Sequence, residues 1–486
     1  MRQLQLDFMM NSMNTRWIRI LNHIEKEPSF TLVALSEILT VSQRTLVKDV
    51  YGIKQYFGST INLQSKQNGF QFEEVHHFNY MEKKATLLES EILFDMIGQI
   101  FKGKLKSVQD LAHEYNYGET TFRRFLLRAE KAIDEYGLSF SLNPVDLIGE
   151  EECIRKFFYD FYSGGDYTPY TIRPTNTLQT VIRNQLLGRG NNYEIGTGAS
   201  ASGFYFLVYL MMNRFQEGKK VTVCPLIVEQ VEKEQDFDVL YSLKDAIADE
   251  FEVSIPKEEF IWLYLVLVTQ RSMNRLEQER LFYMRFNQWP STTAIAEKVF
   301  SDSQFEEWDQ SLLKEFMASF LVSKSLAHAI HPVWNKQQAE EKEMALKRYP
   351  KTYYKNYKFL YQHQQLLGLG NLYFEDVVVA FTLFTNLLLE SYRPKKSILF
   401  LLEGDAMVVQ SIRHQAKTRF GSQHRLLFLQ LQELTSDRIA NEEIDLIVTN
   451  YRPYLWDFPF EKDYFLVNTI PNEADWSRVK QELNHS

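Results

Sequence analysis

The chain has 486 residues, 45% hydrophobic and 24% charged, a soluble globular composition too long for one core, so roughly three to five domains are expected. A net charge of −9 argues against coating nucleic acid or membrane through bulk charge, although a local basic face is compatible with it. Cys153 and Cys224 are too few for a disulfide framework or a cysteine-based zinc site; the opening MRQLQLDFMMNSMNTRW lacks a signal-peptide core, and the apolar runs Phe204 to Met212 and Phe260 to Val268 are too short to span a bilayer, so a cytoplasmic protein is expected.

Residues 1–30 supply a leading helix with Trp17, Ile18 and Leu21 on its apolar side. Thr31 caps a short helix expected to bury Leu32, Leu35, Ile38 and Leu39. After a break at Thr40-Val41, Ser42 caps a second helix burying Leu46, Val50 and Ile53. So brief a turn makes the two helices cross steeply, and the start of the second one projects. It presents Ser42, Gln43, Arg44, Thr45 and Lys48, the side-chain types that reach base edges and phosphates in a major groove. Ile61 to Gln64 and Phe70 to Phe72 alternate about an Asn68-Gly69 turn, which makes a hairpin and completes a winged helix.

The pattern breaks around Glu74 to Tyr80 and then restarts. Leu87 to Phe101 reads as one apolar-rich helix, and Ser107 with Asp110 forms a capping box for a helix holding Leu111 and Ala112. Asn116-Tyr117-Gly118 turns the chain into a long helix expected to bury Phe122, Phe125, Leu126, Ala129 and Ile133, ending at Gly137. Thr120, Thr121, Arg123, Arg124, Arg128 and Lys131 are the candidate DNA-contacting residues of this second reader. Leu138, Phe140 and Leu142, then Asn143-Pro144 and Val145 to Ile148, give a second wing.

Ser163-Gly164-Gly165 with Pro169 and Pro174 mark a linker, and Gly188 to Gly203 is a glycine-rich loop without phosphate-loop spacing. Phe204 to Phe286 is densely helical, with Arg214 and Gly218 closing its first helix. Trp289-Pro290-Ser291 introduces a second helical block with helices at Leu312 to Ile330 and Tyr373 to Leu389. The charged stretch Lys336 to Lys358 reads as a solvated face or loop, and the two blocks suggest a duplicated five-helix bundle. Beyond Arg393-Pro394-Lys395-Lys396, strands at Ser397 to Leu402, Leu426 to Leu431, Ile444 to Val448 and Tyr464 to Val467 alternate with helices, the first of them Ala406 to Arg419. That alternation calls for a small parallel sheet covered on both sides. The expected class is a mainly α multidomain protein: winged helix-turn-helix domains at 1–75 and 76–165, helical-bundle domains at 166–288 and 289–393, and an α/β domain at 394–486.

With VSQRTLVKD, ETTFRRFLLRAEKAI and SILFLLEG in this order, the chain resembles the Mga/AtxA family of virulence regulators from Gram-positive bacteria over nearly its whole length. The resemblance implies promoter binding by a homodimer, regulation domains (PRDs) of the sugar phosphotransferase system (PTS), phosphotransfer proteins of that system as partners, and a C-terminal domain like its enzyme IIB. The chain departs from the family in three places. FLVYLMMNR has no histidine, Phe384 stands where a family histidine is expected, and Glu403 takes the place of the enzyme IIB cysteine. His328 and His331 in SLAHAIHPVW are the candidate phosphorylation residues. An RNA-binding antiterminator also carries paired regulation domains but begins with a β-rich RNA module, and a phosphotransferase would need the missing cysteine. No metal-ligand spacing, dinucleotide fingerprint or nucleophile–base–acid set stands out, so no metal, cofactor or catalytic residue is expected.

Overall fold

A computed structural model describes residues 1–186, 196–429, 444–457 and 463–485. The chain divides into two compact units, one of Met1–Ser303 and Gln310–Leu388, the other of Gln304–Asp309 and Leu389–Ser486. It is mainly helical, and no helix among the described residues is long and apolar enough to cross a membrane.

The first winged helix runs α1 Gln3–Asp7, α2 Ser12–Ile24, β1 Ser29–Phe30, α3 Leu32–Leu39, α4 Gln43–Phe57, β2 Ile61–Lys66 and β3 Gly69–Glu74. The expected hairpin is an antiparallel pair with Leu63 opposite Phe72, both buried, and β1 adds a third strand beside β3. Gly69 has a φ of 128°, and a Cβ there would lie 2.4 Å from the Phe30 carbonyl oxygen, so the wing turn needs glycine for both conformation and space. In α3 only Leu35 is fully buried. Ile38, expected in the core, is 57% exposed, because eight residues give α3 just two turns to set against α2 and α4.

The helix expected from Leu87 to Phe101 is two helices, α5 His77–Leu88 and α6 Ile92–Phe101. They are split at Glu91, a fully buried carboxylate that accepts from the Met10 backbone N–H at 2.6 Å and from Asn14 Nδ2 at 3.1 Å. Satisfying a buried charge outweighs one more helical turn. The segment that breaks pattern around Glu74 to Tyr80 starts α5, which packs back on the first winged helix. There Lys83 donates to the Tyr56 and Phe57 carbonyls, and Lys84 pairs with Glu25 at 2.9 Å.

The second winged helix comprises α6, α7 Val108–Glu114, α8 Glu119–Asp134, β4 Ser139–Leu142, β5 Val145–Ile148 and α9 Glu151–Tyr162. Phe125 is half-buried rather than core. One continuous apolar cluster, from Leu4 through Phe57 and Phe122 to Phe161, serves both winged helices.

The first helical block holds α10 Asn176–Leu186, α11 Ala201–Gln216, α12 Pro225–Val231, α13 Gln235–Tyr241, α14 Leu243–Phe251, α15 Lys257–Val268 and α16 Leu276–Phe286. Of the glycine-rich stretch, residues 188–195 lie outside the described residues, while Ser200 caps α11 and places Ala201 to Gly203 in its first turn. The second block holds α17 Thr292–Val299, α18 Gln310–Ile330, α19 Ala339–Arg348, α20 Pro350–His363 and α21 Phe374–Ser391. The charged stretch is thus mostly helical, and among the described residues the blocks have seven and five helices rather than five each. Interior charges are paired: Arg155 with Glu259 at 2.6 Å, Arg214 with Glu151 at 2.6 Å, Arg271 with Glu279 at 2.9 Å.

The C-terminal unit is β6 Ser397–Leu401, α22 Ala406–Phe420, β7 Arg425–Phe428, β8 Leu446–Thr449, α23 Tyr454–Asp457, β9 Tyr464–Leu466 and α24 Glu473–His485. Its sheet is parallel throughout, in the order β7-β6-β8-β9. Gln430 and Leu431, expected to end the second strand, lie outside the described residues. Successive residues of β6 face opposite sides: Ile398 and Phe400 meet Ile412, Trp476 and Val479, while Leu399 and Leu401 join Ile447.

Candidate nucleic-acid interface

The turn between α3 and α4 is built by its own side chains. Thr31 Oγ1 accepts from the Ala34 N–H at 3.1 Å, and Thr40 takes the left-handed conformation with φ 52°. Ser36 Oγ donates to the Val41 carbonyl at 2.7 Å. Ser42 Oγ accepts from the Thr45 N–H and bonds the Thr45 hydroxyl at 2.9 Å, so these two hydroxyls serve the cap. The helix is then pinned from behind by Asp49, whose buried carboxylate accepts from Arg16 Nε at 2.8 Å, Arg16 Nη2 at 3.0 Å and Trp17 Nε1 at 3.1 Å. Gly52 lets the indole close in, since a Cβ there would fall 2.4 Å from Trp17 Cζ2.

With Leu46, Val50 and Ile53 buried, the outward face of α4 is Arg44, Val47, Lys48 and Tyr51, and Gln43 is exposed at its start. Val47 and Tyr51 are 53% and 66% exposed, and the sequence reading missed both. In α8 the outward face is Thr120, Arg124, Leu127, Arg128 and Lys131, with Leu127 64% exposed. The two helices therefore carry the same outward set, Arg44-Val47-Lys48 and Arg124-Leu127-Arg128, each wrapped around a buried leucine, Leu46 or Leu126. The i, i+3, i+4 spacing that signals this was present in the sequence; scoring cations alone passed over the apolar member.

Charge pairing separates the candidates. Among the described residues Arg44, Lys48, Arg124 and Lys131 have no ion-pair partner, unlike the interior arginines. Arg123 is spent on Glu119 at 2.7 Å, and Thr121 is half-buried. Arg128 is exposed but donates to the Met10 carbonyl at 3.4 Å. At the tip of the first wing Lys66 is exposed and unpaired among the described residues, a further cation absent from the sequence-based set. The second wing turns at Asn143-Pro144, where Ser141 Oγ donates to the Pro144 carbonyl at 2.6 Å.

The two candidate phosphorylation histidines lie at the end of α18. His328 Nε2 accepts from the Gly370 N–H at 2.9 Å, and His331 Nδ1 accepts from the Val333 N–H at 3.2 Å. Burial holds both imidazoles below their ordinary pKa, with Glu150, 3.4 Å from His331, opposing the effect there. At the end of β6, Glu403 accepts from the Tyr454 hydroxyl at 2.8 Å, and Asp405 caps α22 through the Met407 N–H. Two carboxylates thus occupy a helix N-terminus where an anion would otherwise be drawn.

Residues 76–162, spanning α5 to α9, match the Mga helix-turn-helix domain. The chain is 21% identical over 480 residues to the capsule synthesis positive regulator AcpA of Bacillus anthracis, covering 96% of this chain and 98% of that protein. It is 22% identical over 281 residues to the capsule synthesis positive regulator AcpB of the same organism, covering 56% and 57%. The chain is thus similar to the Mga helix-turn-helix domain around α8 and, at low identity, to a capsule regulator along its whole length.

Proposed function

We propose that the protein regulates transcription by binding double-stranded promoter DNA through α4 and α8, each laid in a major groove with Lys66 on the adjacent backbone. The observation that carries this reading is the repeated outward set of unpaired cations flanking an apolar side chain, in a molecule that pairs its interior arginines. Cations hold phosphates and guanine edges, and an apolar group between them suits the thymine methyl. The names of AcpA and AcpB, positive regulators of capsule synthesis, support a role at promoters.

The finer reading is a homodimer that sets two copies of each reader on successive groove turns. Residues 166–288 and 289–393 act as regulation domains and 394–486 as an enzyme IIB-like domain that no longer takes phosphate. We assign His328 and His331 to packing at the end of α18, because a ring nitrogen of each already accepts a backbone N–H. The test is competition between duplex DNA and hairpin RNA for the full-length protein, wild type and Arg44→Ala/Lys48→Ala. Duplex preference that weakens in the variant is expected; tighter binding of the hairpin, or unchanged duplex binding by the folded variant, refutes the reading.

A further inference from the structure

Inside the first unit, where α9, α18 and α21 meet, lies a cavity of about 490 Å³ that the DNA-binding reading does not use. Its walls come from five stretches of chain, among them Lys156 and Tyr159 on α9, Phe320 and Lys324 on α18, and Phe384 on α21. Lys324 is the unusual member. Its ammonium lies 5.4 Å from the centre of the Phe320 ring and has no carboxylate partner among the described residues. Other cations of the wall are neutralised: Lys156 by Asp160 at 2.6 Å, Lys336 by Glu135 at 2.7 Å, Arg271 by Glu279 at 2.9 Å. Enclosure first, and the neighbouring Lys156 second, push Lys324 down to about 8, which leaves it a cation at neutral pH. A half-buried, uncompensated ammonium gains most from an anion that meets it in the cavity.

The rest of the lining narrows the anion. Gln270, Gln337, Gln338 and Ser323 offer amides and a hydroxyl, and Glu341 contributes a buried carboxylate oxygen, Oε2, that accepts no hydrogen bond. That oxygen wants a hydroxyl donor from whatever fills the space. Trp334 and Tyr159, 6.4 Å apart, and the stacked pair Phe320 and Phe384, 4.4 Å apart, supply flat apolar walls. We propose that this cavity binds a small polyhydroxylated oxyanion, with Lys324 holding its phosphate or carboxylate head and Glu341 accepting from a hydroxyl of its body. The bound molecule touches α9, the last helix of the Mga domain, together with α18 and α21 of the second helical block.

Isothermal titration of the full chain tests this independently of DNA. Glucose 6-phosphate and gluconate present the two heads, glucose presents the body alone, and inorganic phosphate presents the head alone. At least one of the first two is expected to bind at one site per chain and more tightly than glucose or phosphate. Lys324→Met is expected to weaken that binding about 10- to 100-fold, the range for losing a charge-assisted hydrogen bond. Ala380→Leu, which keeps Lys324 but fills the cavity wall, is expected to weaken it as well, whereas exposed Lys347→Met leaves it unchanged. Absence of binding by both oxyanions, or wild-type affinity in folded Lys324→Met, overturns the proposal. Should Lys324→Met fail to fold, wild-type affinity in Ala380→Leu overturns it. Phosphate binding as tightly as glucose 6-phosphate overturns the hydroxylated body.

Discussion

Salt dependence puts the candidate interface to a quantitative test. The proposed contact faces of the two readers and the first wing carry six of the exposed cations: Arg44, Lys48, Lys66, Arg124, Arg128 and Lys131. If each meets a phosphate, counterion release gives log K against log salt a slope of about −5 per protomer and about −11 for a dimer. Between roughly 50 and 200 mM salt, affinity per protomer then falls about 10³-fold. Arg124→Ala/Lys131→Ala removes two contacts from α8 and no ion pair among the described residues, so the fold has little reason to respond. The slope is expected to become shallower by about 2 per protomer. Fluorescence anisotropy of a labelled duplex over a salt series reads this directly. Lys347→Ala/Lys351→Ala, two exposed lysines of α19 and α20, changes net charge by the same amount and is expected to leave the slope alone. An unaltered slope in the α8 variant, with helicity intact, refutes the placement of α8 against phosphates, whatever α4 does.

Asp49→Ala strands the Trp17 indole N–H inside the first winged helix and removes the bidentate Arg16 contact, a loss of about 3 kcal/mol in the anchoring of α4. Faster hydrogen exchange confined to α2–α4 checks it, and unchanged protection contradicts the assigned role. Burial pushes Glu152 up to about 7 against the opposing pull of the Trp334 and Trp262 indole bonds and Arg155. A carboxyl raised on folding contributes stability that is fully present below its unfolded value near 4.5 and is lost as pH rises through about 7. Wild type is therefore expected to lose up to about 3 kcal/mol across that window that Glu152→Gln does not, read as melting temperature against pH. Labelled phosphoenolpyruvate with the general transfer proteins is expected to leave residues 394–486 unlabelled, since Glu403 and Asp405 hold negative charge at the turn a phosphate would need; label recovered there contradicts that assignment.

The readers were legible in the sequence because their punctuation is local. Thr31, Ser42 and Ser107 cap helices within three residues of themselves, and Asn68-Gly69 closes a hairpin whose alternation is visible on both sides. The parallel sheet showed for a related reason: β6, buried at every position, leaves a continuous apolar run that only a strand covered on both faces tolerates. What escaped depends on partners far along the chain. Glu91 ends a helix because Met10 and Asn14 solvate it, and no window of neighbouring residues contains that fact. α9 is amphipathic in sequence, and nothing in that pattern shows that its polar face is buried too, with Arg155 and Lys156 drawn inward by Glu259 and Asp160. The same contrast explains why residue type alone marks the interface poorly. Arg124 and Arg155 are the same residue on helices of similar amphipathic strength, and they differ only in whether the fold supplies a carboxylate. An arginine paired in the interior has spent its charge on stability; one left outward without a partner keeps it for a ligand. Applied to the chain, that distinction keeps Arg44, Lys48, Arg124 and Lys131 in the proposed interface, takes Arg123 out of it, and singles out Lys324 as a cation still in need of an anion.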